Sequence, residues 1–322
     1  MSDPADVFVF APDPLLTVTV EAGAEGGDEI HLHAGGQGFW VARMVAALGV
    51  PVALGGPFGG ETGAVLRQII AASDITVAAV DTGAANGAYV HDRRDGERAE
   101  VATTAPGRLS RHDVDDLYGQ AVSLGMDAKV VVLAGPGTWD PPVLPPDVYR
   151  RLAADLRRAG RIVVADLSGR PLAEALTGGV SLLKISHEQV LEDQLAGSAN
   201  PGDLLAAMRT LRELGAEQVV LSRADQPPWA LLDGDAVLEV VGPHLEEVDH
   251  RGAGDSMTAG LAAGLALGMD TAAALRLAVA AGALNVTRRG LASGDRQAIE
   301  RLAKHVDLHT RKAAAAGGEG QR

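Results

Sequence analysis

The chain has 322 residues, no cysteine and a formal net charge of −14. Without cysteine, disulfides, thiolate catalysis and cysteine-ligated zinc are excluded, and the acidic balance speaks against unaided binding to nucleic acid or an anionic membrane surface. Hydrophobic residues at 47% are ordinary globular usage, but aromatics reach only 3%, so the core must be built mainly from Ala, Val and Leu.

Met1-Ser2-Asp3-Pro4 offers no basic segment before an apolar run, and no apolar run reaches the ~18 residues of a membrane span. A cytoplasmic protein is the expectation. Val7–Phe10 reads as a buried strand, Phe39–Leu48 as a helix, Val52–Leu54 as a strand, Thr62–Ala71 as a helix and Thr76–Val80 as a strand. The alternation resumes with Val130–Ala134, Tyr149–Ala159, Ile162–Asp166, Leu182–Ile185, His187–Leu195, Leu204–Leu214 and Val219–Leu221. Strand runs this apolar cannot face water on one side, so the pattern predicts an α/β layered fold around a mostly parallel sheet. Two stretches differ. Thr17–Glu21 and Ile30–His33 alternate strictly, while Ala88–Asp92 and Glu97–Thr103 flank an Asp95-Gly96 turn as a hairpin does. Together they predict a small sheet from roughly residues 13–36 and 84–105, a lid on one domain spanning residues 1–312. Residues 313–322 read as a disordered tail.

The segment Arg251-Gly252-Ala253-Gly254-Asp255-Ser256 opens a helix whose Met257, Leu261 and Leu265 share a stripe. Its glycines let backbone approach a ligand, and the first amides of a helix form an anion site. A carboxylate at Asp255 suits a general base beside that site. An acidic residue there also complements the helix dipole, and spacing alone leaves both readings open. Gly35-Gly36-Gln37-Gly38 precedes the Phe39–Leu48 helix as a substrate-binding turn or a plain tight connection. No G-x-x-x-x-G-K-[ST] is present, and Val41 stands where a dinucleotide fingerprint wants its third glycine, which argues against P-loop and NAD chemistry. His31 and His33 lack further ligands nearby and read as surface strand.

These motifs in this order resemble the PfkB/ribokinase carbohydrate kinases, closest to the 1-phosphofructokinase and tagatose-6-phosphate kinase branch. Gly35–Arg43 is similar to the first family signature, G-G-K-G-x-N-V-A-R, Asp249–Gly260 to the second, and Leu284–Gly290 to the nucleotide-side segment. The resemblance implies a ribokinase-like three-layer domain with a small β-sheet lid, and ATP-dependent transfer to a hydroxyl of a small carbohydrate-like acceptor. It implies Asp255 as the base and the backbone of Gly252, Ala253 and Gly254 as the anion hole. Asp13, Gly35, Gly36 and Gln37 would hold the acceptor. Lys184, Ser186, Ser222, Arg223, Ala224, Asp225 and Asn285 would face ATP, Glu188 the Mg²⁺, and Asp249 a monovalent cation such as K⁺. It also implies a homodimer through the lid.

Departures concern the small-molecule contacts. Gln37 stands where the signature has Lys and Trp40 where it has Asn; the early sugar-binding Asp falls at Leu15, with Asp13 two residues away. The family N-x-x-E reads Ser186-His187-Glu188-Gln189, and the lid Arg falls at Ala85. Lacking both cations, the site is expected to prefer a neutral acceptor over a sugar phosphate, since a buried phosphate needs pairing. The alternatives are a catalytically weak ligand-binding or regulatory protein on this fold, and a nucleoside kinase in which Trp40 stacks on a base.

Overall fold

The structure is a computed structural model that describes residues 5–311 apart from 289 and 291; the tail lies outside the described residues. The chain runs through β1 (Val7–Phe10), β2 (Leu15–Ala22), β3 (Asp28–Gly35), α1 (Gln37–Ala47), β4 (Val52–Phe58), α2 (Gly60–Ala71), β5 (Thr76–Asp81), β6 (Ala88–Asp92) and β7 (Ala99–Thr104). It continues with α3 (Arg111–Asp127), β8 (Val130–Ala134), α4 (Asp147–Arg158), β9 (Ile162–Asp166), α5 (Gly169–Gly178), β10 (Val180–Ser186), α6 (His187–Glu192) and α7 (Pro201–Glu213). The last elements are β11 (Ala216–Arg223), β12 (Gln226–Leu231), β13 (Val237–Val241), α8 (Ala253–Ala266), α9 (Thr271–Asn285), α10 (Arg296–Ala303) and β14 (Asp307–Arg311).

Ten strands form the main sheet in the order β14-β13-β12-β11-β10-β9-β8-β1-β4-β5. From β5 to β11 every pair is parallel, and β11 to β14 pair antiparallel. Side chains alternate across a strand, so Val7 and Val9 enter one core with α1, α8 and α9, while Phe8 and Phe10 enter the other with α3, α4 and α7. This is the double-sided burial that the apolar strands require. Helix α8 is buried nearly all round and packs on α9 through two glycines. A Cβ on Gly260 would come within 2.5 Å of Ala278 Cα, and one on Gly264 within 2.7 Å of Ala274 Cβ.

The second sheet has the order β3-β2-β6-β7. It unites the two alternating stretches, with β2 antiparallel to β3 and parallel to β6. Asn86 ties its root to the main domain: Oδ1 accepts from Gly59 N at 2.9 Å, and Nδ2 donates to the carbonyls of Pro14 and Pro57, each at 3.0 Å. The register puts Thr17, Thr19, His31, His33, Tyr89 and His91 on one face and Val18, Val20, Ile30, Leu32 and Val90 on the other. Among the described residues, no helix is long and apolar enough to cross a membrane.

Candidate active site

In parallel α/β sheets, ligands bind beyond the carboxyl ends of the strands, and this chain gathers its polar residues there. Gly252, with φ 76° and ψ 0°, occupies the left-handed region as N-cap of α8 and turns the chain sharply into the helix. At its start Ala253 N donates to the His250 carbonyl at 3.3 Å, while the amides that follow in the first turn have no intrahelical acceptor. Beneath them, Lys184 of β10 reaches up from the sheet. A Cβ on Gly254 would meet Lys184 Nζ at 2.7 Å, so only glycine lets the lysine come so close. Lys184 is buried and pairs with Asp166, the last residue of β9, at 3.2 Å. Thr258, one turn into α8, donates to Asp166 Oδ2 at 2.5 Å and to the Gly254 carbonyl at 3.2 Å.

Asp255 stands at the centre of this cluster. The residue is half-buried. Desolvation pushes its pKa up from 3.8 to about 7; the negative charge of Asp166 adds to the rise, and Lys184 opposes it. A carboxyl poised near neutral pH beside an anion-binding helix end can accept a proton from an attacking hydroxyl.

The acceptor-side residues also converge. Gly36 adopts φ 91°, and a Cβ there would lie 2.5 Å from the Asp13 carbonyl. Gln37 Oε1 accepts from Gly135 N at 2.6 Å, and Asp13 Oδ2 accepts from Gly137 N at 3.2 Å and from the Trp139 indole. Asp13 Oδ1 is buried without a partner, and desolvation raises the Asp13 pKa despite the bonds that lower it. The lid completes this side. Tyr89 stacks on Trp139 with ring centroids 6.0 Å apart and on His91 at 5.7 Å, and Arg98 Nη2 lies 2.5 Å from His91 Nε2. The polar face of the lid therefore turns toward Asp13.

The expected nucleotide-side residues divide. Asn285 donates to the Arg251 carbonyl at 2.7 Å, so it braces the turn before α8; its Oδ1 is buried without a partner. Ser186 caps α6 in a reciprocal pair with Gln189. Ser222 and Arg223 end β11, and Ala224, at φ 48°, turns with Asp225 into β12. The Arg223 side chain folds back onto the Trp229 ring, donates to Pro227 O and pairs with Glu239, away from the turn. Glu188 is exposed in the first turn of α6, its side chain 60% accessible. It is an open carboxylate of the kind that Mg²⁺ combines with phosphate oxygens. Asp249 differs: Arg251 Nε and Nη2 hold its two oxygens at 2.9 and 2.6 Å, and Arg251 N donates to Oδ1 at 3.1 Å. A donor set already closed by a guanidinium does not fit a metal cation.

Sequence reasoning missed Asp166, Thr258, Trp139, Tyr89, His91, Arg98 and Arg251 as site residues. Asp166 had one signal, a charge closing the apolar run Ile162–Ala165.

Comparison with known proteins identifies the family. The sequence pattern of the pfkB family carbohydrate kinases matches residues 16–298. An ATP-dependent 6-phosphofructokinase isozyme 2 of Mycobacterium tuberculosis is 28% identical over 273 residues, covering 83% of this chain and 78% of that protein. A 1-phosphofructokinase of Bacillus subtilis is 27% identical over 276 residues, covering 86% and 88%. Phosphofructokinase-2 of Escherichia coli, solved in complex with potassium, superposes with a TM-score of 0.82 at 22% identity over 93% of this chain and 98% of that one. The chain belongs to the pfkB family of carbohydrate kinases, phosphotransferases that act on a hydroxyl.

Proposed function

We propose that this protein transfers the γ-phosphoryl group of ATP to a hydroxyl of a small sugar phosphate, with Asp255 as the base. The observation that carries the reading is a carboxyl raised to about 7 at the N-terminus of α8, flanked by Gly252–Gly254 and by Lys184. Asp255 takes the hydroxyl proton while the backbone turn of Gly252, Ala253 and Gly254 faces the charge on the transferred group. Lys184 adds positive charge beneath that turn, and Asp166 and Thr258 hold it in place. When bound, magnesium neutralises charge on the ATP phosphates, and Glu188 is the carboxylate this chain offers to it. On the acceptor side, Asp13 and the Gly35–Gln37 turn meet the hydroxyls.

The acceptor's charge is read from the lid. Gln37 and Ala85 lack the cations of the family pattern, which favoured a neutral acceptor. Arg98 supplies a cation from the connection just before β7, and it hydrogen-bonds His91 rather than a carboxylate. Relatives named as phosphofructokinases favour the same reading. The outer, apolar face of the lid is the surface we assign to a second copy of this chain.

Steady-state kinetics on matched phosphorylated and unphosphorylated sugars, with wild type and Asp255→Asn, test the proposal. The phosphorylated member of a pair is expected to have the higher kcat/KM, and the variant to bind ATP but turn over about 10²–10⁴ times more slowly. Preference for the neutral member removes the role of Arg98; unchanged turnover removes Asp255 from the mechanism.

A further inference from the structure

The turn that presents the anion hole must be rigid, because misplacement of about 1 Å can reduce turnover some 10²-fold. Glycine at 252 and 254 makes the turn possible and does nothing to hold it. Three sets of contacts fix it instead. Val248 N and Asp249 N both donate to the Val286 carbonyl, at 2.7 and 3.1 Å. Asn285 Nδ2 clasps the Arg251 carbonyl from α9 at 2.7 Å. The Arg251 side chain then closes back on Asp249 with two fork-like bonds. The residue directly before Gly252 is thus held at its carbonyl, its amide and its guanidinium.

We propose that Arg251 is the resident cation of this turn, so that catalysis does not depend on a bound monovalent metal ion. The inference rests on the kinase reading of the α8 turn and concerns how that turn is positioned. A carboxylate such as Asp249, with its side chain only 10% accessible, calls for a positive counter-charge. Arg251 provides one in bidentate form, the geometry in which a guanidinium both neutralises and orients a carboxylate. The bond to Arg251 holds the Asp249 carboxyl below its usual range and the guanidinium above its own. Arg98 of the lid is disfavoured as a cation by desolvation first and then by the charges of Arg251 and Arg93. A metal cation entering here would meet a carboxylate whose two oxygens a guanidinium already holds. Arg251 is a positioning residue; it acts through the turn rather than on the substrate.

Removing it should create the dependence that it replaces. Turnover and thermal midpoint are measured for the full chain in tetramethylammonium, sodium and potassium salts at one ionic strength. The wild type is expected to change less than about two-fold in turnover between salts, with an unchanged midpoint. Arg251→Ala is expected to lose about 10²-fold in kcat and to regain part of it with potassium or guanidinium ion, which a merely structural loss would not do. Arg251→Lys keeps the charge without the fork and should lose turnover with no gain from potassium. Asp249→Asn/Arg251→Met removes both charges, so it should fold, turn over slowly and gain nothing from either cation. A wild type that transfers phosphoryl groups only with potassium overturns the inference, as does an Arg251→Ala variant of full turnover in tetramethylammonium. A wild type inactive on every sugar counts against the kinase reading instead. The midpoints then decide: potassium-specific stabilisation of Arg251→Ala alone supports the inference, and stabilisation of the wild type overturns it.

Discussion

Asp255 keeps its proton until about pH 7 because burial and Asp166 both disfavour its charge. A base must be ionised to act, so kcat/KM should fall about tenfold per pH unit below about 7. Because the folded carboxyl binds its proton more tightly than the unfolded one, its stabilising contribution is complete below the unfolded carboxyl's 3.8 and is lost as pH rises through about 7. Asp166→Asn removes the negative neighbour and leaves Lys184 free to favour the carboxylate, so the acid limb should move to lower pH. A pH–rate profile of the variant checks this; an unmoved limb would separate Asp255 from Asp166. Of this site, the residues legible beforehand were those whose role lies in the local backbone. Gly252, Gly254 and Gly36 carry their geometry in consecutive letters, and Asp255 follows from its place in the first turn. Asp166 is marked locally only as the charge that closes an apolar run; its role depends on Thr258, 92 positions away. The Arg223 side chain was misdirected for the same reason: the sheet partner strands that bring Trp229 and Glu239 beside it decide where it points.

Elements were readable where periodicity and apolar content agree. The strands from β1 to β11 were anticipated in kind: those of the main sheet as continuous apolar runs, and β2, β3, β6 and β7 as alternating stretches and a hairpin. Helix α3 was passed over for its charged surface, although Ser110 and Asp113 form a capping box and Val114, Leu117 and Ala121 keep helical spacing. Strand β12 was hidden by Pro227 and Pro228, which demote a run to edge strand or loop, and here tertiary pairing with β11 and β13 overrides them. The α8–α9 contact was invisible in composition, since its basis is what two glycines lack. Gly260→Ala sets a methyl 2.5 Å from the Ala278 backbone, which cannot swing aside as a side chain would, and should cost about 1–3 kcal/mol in urea unfolding. Gly119, exposed on α3 with open space where a Cβ would go, is the control: Gly119→Ala should stabilise by about 0.5–1 kcal/mol. Equal effects at the two sites would mean that α8 and α9 are less tightly docked than these distances require.

At the scale of the molecule, the lid carries its apolar face on the outside. A half-buried sheet normally turns its hydrophobic side inward, but here the inward side is Thr17, Thr19, His31, Tyr89 and His91, as a polar ligand would require. The outward side leaves Ile30 and Leu32 on strand β3 at 69% and 51% exposure. The half-buried Val20 and Val90 continue the same face, Val18 at its root packs on the main core, and β3 is an edge strand with unpaired backbone groups. A face that is apolar and ends in an open strand edge calls for a partner, and a second copy of the lid presents an equivalent face related by two-fold symmetry. Paired lids would restrain each other over both acceptor sites, coupling assembly to acceptor binding. Ile30→Glu/Leu32→Glu should therefore remain folded, since neither side chain supports the core, yet sediment as a monomer where the wild type sediments as a dimer. Its KM for the acceptor should rise while its affinity for ATP stays constant. Sedimentation equilibrium over a range of concentrations, paired with acceptor and ATP titrations, reads both effects. A wild type that is monomeric throughout would show that the outer face of the lid serves no second copy.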